Sequence, residues 1–338
     1  MADVTDAAFR SIIAKYGKPD VMWTEFVSAD GLVSAGKKKL LHNLKFSRKE
    51  KPIVAQLFSA NPEKMYEAAK LVATMGFDGI DINMGCPDRT VEKQGSCAAL
   101  IKNPKLAREI IEAARRGAPR LPISVKTRIG YNKNEIGTWI KFLLKMNLPA
   151  LIVHLRTRRE LSEVPAHWEL MKKIVALKNK ISPETLIIGN GDVMSLEQGR
   201  ALAQKTGCDG VMLGRAIFGN PWLFSKKNSP KSSGRGRSSN EFEVRPRGDG
   251  FDLNVLENNL LINTDNEPIN PDMKLKVLVE YTKLFEKLLG KHKNLAVMKK
   301  HFKAYVNGFD GAKELRVKLM ETENAKQVEK IIKNFINK

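Results

Sequence analysis

Short apolar runs recur through the first two-thirds of the chain, at Asp20–Phe26, Pro52–Phe58, Asp78–Met84, Pro122–Arg128, Pro149–His154, Thr185–Asn190 and Asp209–Leu213. Each has strand length and is apolar at consecutive positions, as expected where both faces of a sheet are covered. Between most of them lie amphipathic stretches with helical periodicity: Glu63–Met75, Leu106–Arg116, Trp168–Leu177 and Leu196–Thr206. Strand and helix alternating at this spacing predict a parallel sheet with crossover helices. The expected fold class is α/β, a TIM (β/α)8 barrel, yet only seven candidate strands are found where such a barrel needs eight.

The pattern changes after Phe224. The stretch "SKKNSPKSSGRGRSSNEFEVRPRGDG" is rich in Ser, Gly, Arg, Lys and Pro, which predicts a flexible basic insertion over residues 226–271. Within it "VLENNLLIN" is a candidate brief strand or turn. Four helical patterns follow, Met273–Leu289, Asn294–Val306, Gly311–Thr322 and Ala325–Ile336. The expected organisation is a barrel domain over residues 1–225, the insertion, and a small all-helical domain over 272–338. No internal repeat is evident.

Composition narrows the class. Hydrophobic residues make up 42% of the 338-residue chain, enough for a sizeable core, and no apolar run is long enough to span a membrane. The opening "MADVTD" lacks the features of a signal peptide. Three cysteines in so long a chain predict a reducing, cytoplasmic setting rather than a disulfide framework. No Cys-x-x-Cys or His-Glu-x-x-His spacing suggests a metal. With 58 Lys and Arg against 37 Asp and Glu, the formal net charge is +21. That excess favours a polyanion, nucleic acid rather than membrane, although a Lys-rich solvated surface has the same composition.

In a parallel barrel, chemistry sits at the C-terminal ends of strands. There the sequence places Gln56, Asn83 and Cys86, Lys126 and Arg128, His154 with Arg156 and Arg158, Asn190 with Gly191 and Asp192, and Gly214 with Arg215. The last two groups follow the final strands, where such barrels often hold a phosphate on backbone N–H groups. Ordinary glycine turns give the same pattern.

The ordered set "ADVTDAAFR", "TEFVSADGL", "VAQLF", "GIDINMGCP", "SVKTRIG", "VHLRTR", "IIGNGDV", "GVMLGRAIFGNPWLF" and "MKKHFKAYVNGFDGAKELR" resembles the tRNA-dihydrouridine synthase family, most closely its bacterial B-type branch. The resemblance covers nearly the whole chain outside the basic insertion. It implies a flavin-containing barrel plus a tRNA-gripping helical domain, which reduces the C5–C6 double bond of particular uridines with FMN recharged by NADPH. It also implies a protein that works without a stable protein partner, as a monomer. Cys86 matches the catalytic acid, and a thiol of pKa near ~8.5 is mostly protonated at neutral pH and able to donate. Cys97 and Cys208 are expected to be packing residues.

By the same resemblance Gln56, Lys126 and His154 match flavin contacts, and Asn190, Gly191, Asp192, Gly214 and Arg215 the phosphate end. Asn83 matches a uracil contact, with a turn-stabilising role as the alternative. Arg156 and Arg158 are candidates for the flipped nucleotide, and Lys299, Lys300 and Lys303 for tRNA; solvated surface charge is the alternative for these.

Two departures stand out. Leu155 replaces a family glycine between the His and Arg. The family's first barrel strand, ending in Ala-Pro-Met, has no counterpart before Met1, so a barrel without its first strand is expected. Two other functions fit parts of the pattern: a flavin barrel acting on a small molecule, similar to dihydroorotate dehydrogenases, and a catalytically idle tRNA-binding protein.

Overall fold

The computed structural model describes residues 3–225 and 270–337. Most of the expected insertion, with "VLENNLLIN", lies outside the described residues.

Eight parallel strand segments occupy seven positions of one sheet. They are β1 (Met22–Trp23), β2 (Val27–Ser28), β3 (Ile53–Phe58), β4 (Gly79–Met84), β5 (Ile123–Arg128), β6 (Ala150–His154), β7 (Leu186–Asn190) and β8 (Gly210–Met212). The expected strand over Asp20–Phe26 is broken. Its two halves, β1 and β2, both pair with β3, with Trp23 opposite Val54 and Val27 opposite Leu57. Four steps along one strand therefore match three on the other, which leaves one residue extra, as in a β-bulge. Gln56 N–H donates to Thr24 Oγ1 at 3.0 Å within this irregular stretch. From β3 each strand pairs with the next in sequence as far as β8. Among the described residues β8 and β1 do not pair, so the barrel is open at that seam.

Crossover helices cover the sheet, among them α2 (Pro62–Ala73), α3 (Pro104–Gly117), α4 (Met171–Ile181) and α5 (Leu196–Thr206), with a shorter helical turn over residues 136–144 between β5 and β6; α1 (Ala7–Tyr16) precedes the sheet. Their starts follow local chemistry. Asn61 and Asn103 cap α2 and α3 through their side-chain oxygens, each followed by Pro at the first helical position. There the missing N–H of proline costs nothing and its φ suits the helix. Ser195 caps α5, and Gly207 ends it in the left-handed region at φ 75°. The inner faces of these helices join the strands in one core with Trp139, whose indole N–H donates to Thr127 Oγ1 at 2.9 Å.

The C-terminal helices are α6 (Pro271–Leu289), α7 (Lys299–Tyr305), α8 (Ala312–Met320) and α9 (Ala325–Ile336). They pack on α1. Phe9 of α1 lies 6.0 Å from the Tyr281 ring and 5.7 Å from His301, centroid to centroid. Lys15 and Tyr16 both bond Glu280, at 2.7 and 2.6 Å. Lys293 reaches Glu25 at 3.0 Å. Among the described residues no helix is long and apolar enough to cross a membrane.

Candidate active site

Strand register gathers the polar strand ends into an arc. Gln56 on β3 pairs with Asp81 on β4, Asn83 with Lys126 on β5, Arg128 with His154 on β6, and His154 with Asn190 on β7. Because side chains alternate along a strand, Ser124, Lys126 and Arg128 share one face. They line a cavity of about 450 Å³ with Gln56, Asn83, Cys86, His154, Asn190 and Gly214. Aromatic and aliphatic side chains, among them Trp23, Phe26, Ile152 and Ile188, supply the apolar wall. A volume of this size and lining suits a cofactor or small substrate.

The arc is internally bonded. Gln56 donates to the Asp81 carboxylate at 2.7 Å and accepts from Asn83 at 3.2 Å. Asn83 Oδ1 accepts the N–H groups of Gly85 and Cys86 at 3.1 and 3.0 Å. That side chain therefore holds the loop carrying Cys86 in place. Lys126 Nζ donates to Asn190 Oδ1 at 3.0 Å, and Asn190 in turn donates to the Met212 carbonyl at 2.9 Å. Arg128 spans the mouth, donating to the carbonyls of Gly85 at 2.8 Å and of Thr157 and Leu161 at 2.9 Å.

Burial and like charge set the ionisation. Desolvation brings the Lys126 ammonium down to about 8, opposed by Asp81. Desolvation lifts Asp81, fully buried beneath Gln56 and Ser124, to about 6. Burial, then Lys126, Arg128, Arg156 and Arg215, pushes His154 down to about 2, so its ring is neutral at physiological pH. The Cys86 thiol is brought down to about 7, chiefly by a hydrogen bond from Cys97 and against the effect of burial.

Other expected residues lie beside the cavity rather than on it. Arg156 is buried and folds inward onto Asp192 and the Val164 carbonyl. Its third guanidinium contact is Nη1 to His154 Nε2 at 3.1 Å. Arg158 grips Glu92 with two nitrogens and lies 5.6 Å from the Tyr131 ring. Asp192 bridges Arg156 and Arg215, the latter at 2.8 Å. Gly191, at φ 131°, leaves a space that a Cβ would lose: it would stand 2.7 Å from the Ala166 Cβ. At Gly214 a Cβ would meet nothing within 4 Å, so the chain passes open space there. Lys300 and Lys303 are exposed on α7, with Lys299 half-buried. Arg128, a strand-end cation in the sequence with no role assigned to it, belongs to the arc, and so does Asp81, which the expected set lacks although it stands as a carboxylate inside an otherwise apolar run.

A parallel α/β barrel with a bonded polar arc at its strand ends, lining a cavity, has the construction of a barrel enzyme. The model of the dihydrouridine synthase (Dus) family matches residues 1–338, and the chain belongs to that family of oxidoreductases. A Staphylococcus epidermidis protein named "Probable tRNA-dihydrouridine synthase" is 36% identical over 337 residues, which span 99% of this chain and 91% of the relative. The Bacillus subtilis "Probable tRNA-dihydrouridine synthase 2" is 36% identical over 340 residues, 100% of this chain and 93% of the relative. Among solved structures, an old yellow enzyme homologue from Zymomonas mobilis aligns at 14% identity with a TM-score of 0.44, over 65% of this chain and 82% of that one.

Proposed function

We propose that this chain reduces the C5–C6 double bond of specific uridines in tRNA, with FMN as bound cofactor, NADPH as electron donor and Cys86 as the proton donor. The observation that carries this is that Cys86 lines the same cavity as Gln56, Lys126 and His154. FMN, when bound, would supply the hydride for uracil C6. The residues present fit such a group. The cavity is mainly apolar, and its one lysine is desolvated and aimed inward, as a cation must be to favour the electron-rich edge of a flavin ring. Gln56 and Asn190 add amide groups in fixed orientations, and the neutral His154 offers a ring N–H or lone pair. Gly214, with no side chain, lets backbone approach a phosphate, with Arg215 beside it.

Cys86 then hands its proton to C5. Asn83 fixes the loop that carries it, so the thiol keeps one position relative to the strand ends. The exposed lysines of α7, Lys300 and Lys303, with Lys299, form the tRNA-facing surface.

The test is Cys86→Ala. FMN content and flavin reduction by NADPH should match the parent protein, since neither needs a proton donor to uracil. Dihydrouridine formation in tRNA should fall by about 10²–10⁴-fold, the usual contribution of a general acid. Normal turnover in this variant would overturn the assignment.

A further inference from the structure

The proton-donor role uses one thiol, yet the fold puts two together. Left-handed positions at Gly95 (φ 77°) and Cys97 (φ 54°) turn the chain back so that the short helix Cys97–Lys102 lies against β4. Ala98 N–H donates to the Cys86 carbonyl at 3.2 Å, which brings residue 97 up against residue 86. Cys86 is half-buried and faces the cavity, whereas Cys97 is wholly buried behind it. The third cysteine, Cys208, is bonded elsewhere, to the Gly210 carbonyl at 3.4 Å. A buried small residue would fill the Cys97 position as well, and the left-handed backbone there favours glycine. A second thiol in that place adds redox chemistry.

We propose that Cys86 and Cys97 form a reversible disulfide when a hydroperoxide enters the cavity, switching uridine reduction off; the switching half rests on the proton-donor role of Cys86. The Cys86 thiolate attacks the hydroperoxide oxygen. An S–O bond forms, the O–O bond breaks, and the product is the Cys86 sulfenic acid plus an alcohol or water. The Cys97 sulfur then attacks the Cys86 sulfur, the S–S bond forms, and hydroxide leaves as water with the Cys97 proton. Two thiols lose two electrons and two protons, and the hydroperoxide takes up both.

The environment suits each step. At neutral pH a good fraction of Cys86 is thiolate, the reactive form. The Cys86 thiolate also holds the proton on Cys97, raising its pKa. Once Cys86 is an uncharged sulfenic acid that hold is gone, and the departing hydroxide accepts the proton. With no S–H left at residue 86, C5 has no donor.

The experiment exposes the full chain to limiting hydrogen peroxide and maps its peptides without reduction. Trypsin cuts after Arg89 and Lys93, between the two cysteines, so a linked pair of peptides reports the bond. Wild type should show the Cys86–Cys97 link and on the order of a hundredfold less dihydrouridine formation, both reversed by dithiothreitol. Cys97→Ala should show no link, accumulate Cys86 sulfinic acid, and lose activity beyond thiol rescue. Oxidised Cys86 beside a free Cys97 thiol in wild type, or a link to Cys208 instead, would overturn the proposal. If the link forms while dihydrouridine formation continues, the switch and the proton-donor role fall together and the disulfide stands. If Cys86→Ala is inactive and no link forms in wild type, the disulfide alone fails.

Discussion

A general acid must hold its proton at working pH, and the Cys86 thiol, brought down to about 7, holds it only on the acid side of neutrality. Single-turnover dihydrouridine formation should therefore fall above pH 7, about tenfold per unit. The main cause of that low value is the bond from Cys97. Cys97→Ala removes a donor to the thiolate, so the falling limb should move to higher pH. A limb that stays in place would detach the pH profile from this thiol pair. Asp81 allows a second test at this scale. Its folded pKa of about 6 lies above the ordinary 3.8, so between those values the folded state binds more protons than the unfolded chain. Stability therefore falls as pH rises through that window, by on the order of 3 kcal/mol in full. Asp81→Asn keeps an acceptor for Gln56 and gains a donor toward Ser124. Urea unfolding from pH 4.5 to 7 should show a flatter stability profile for the variant than for wild type. Asp6, also raised to about 6, is present in both and cancels from the comparison. Equal slopes would mean that the Asp81 carboxyl titrates alike in the folded and unfolded chain, so that burial does not raise its pKa. Cys86, Gln56 and Lys126 stood out in the sequence because each ends an apolar run. The inward turn of Arg156 did not, because residue spacing gives no side-chain direction beyond the strand.

At the scale of elements, α1 is tied to the segment before β3 by a buried ion pair. Arg10 Nε meets Glu50 at 2.8 Å, with 2% and 1% side-chain exposure, and Arg10 also donates to the carbonyls of Thr5 and Lys45. Glu50 accepts in addition from Ser47 N–H at 2.8 Å, closing the short turn Arg48–Glu50. Removing one partner strands a buried charge. We expect Glu50→Gln to cost about 3–5 kcal/mol in urea unfolding; a loss below about 1 kcal/mol, the range of exposed pairs, would show that water reaches the pair. Neither residue is marked by periodicity, since forty positions separate them. The regular elements were far more legible. The helix over Leu196–Thr206 agrees with its pattern at both ends because Ser195 and Gly207 are explicit stop signals. The first strand was only half legible. A one-residue slip against β3 splits Asp20–Phe26 into β1 and β2, and an apolar run looks the same with or without a bulge. The pattern over Trp168–Leu177 begins as the short turn Trp168–Leu170 before α4, with the Trp168 indole N–H donating to the Gly191 carbonyl at 2.8 Å.

For the whole molecule, composition divides the chain near residue 272, but packing does not follow that line. Phe9, Phe218, Tyr281 and His301 form one aromatic cluster across it. The C-terminal helices are thereby fixed relative to the barrel through α1, and charges carried on α7 have a set direction with respect to the cavity. Sequence showed the charges and both groups of elements, but a contact between residues 9 and 281 is invisible to periodicity. The excess of +21 becomes a binding argument only with that geometry. Lys300, Lys303, Lys313 and Lys318 are exposed on α7 and α8. Arg316 is bound to the Val306 carbonyl at 2.7 Å and is better left out of any charge-reversal set. Each lysine that neutralises a phosphate releases counterions, worth a log–log salt slope of roughly −0.7 to −0.9. We expect tRNA affinity to fall steeply with salt. Reversing Lys299, Lys300 and Lys303 to Glu should weaken binding at low salt and make the slope shallower by about 2–3. The same variant should keep its thermal stability and its tRNA-independent NADPH oxidation, because none of the three side chains lines the cavity. Filter binding of a tRNA transcript across a salt series measures both slope and affinity. An unchanged slope with intact folding would move the tRNA surface away from α7, to the basic groups at the cavity mouth.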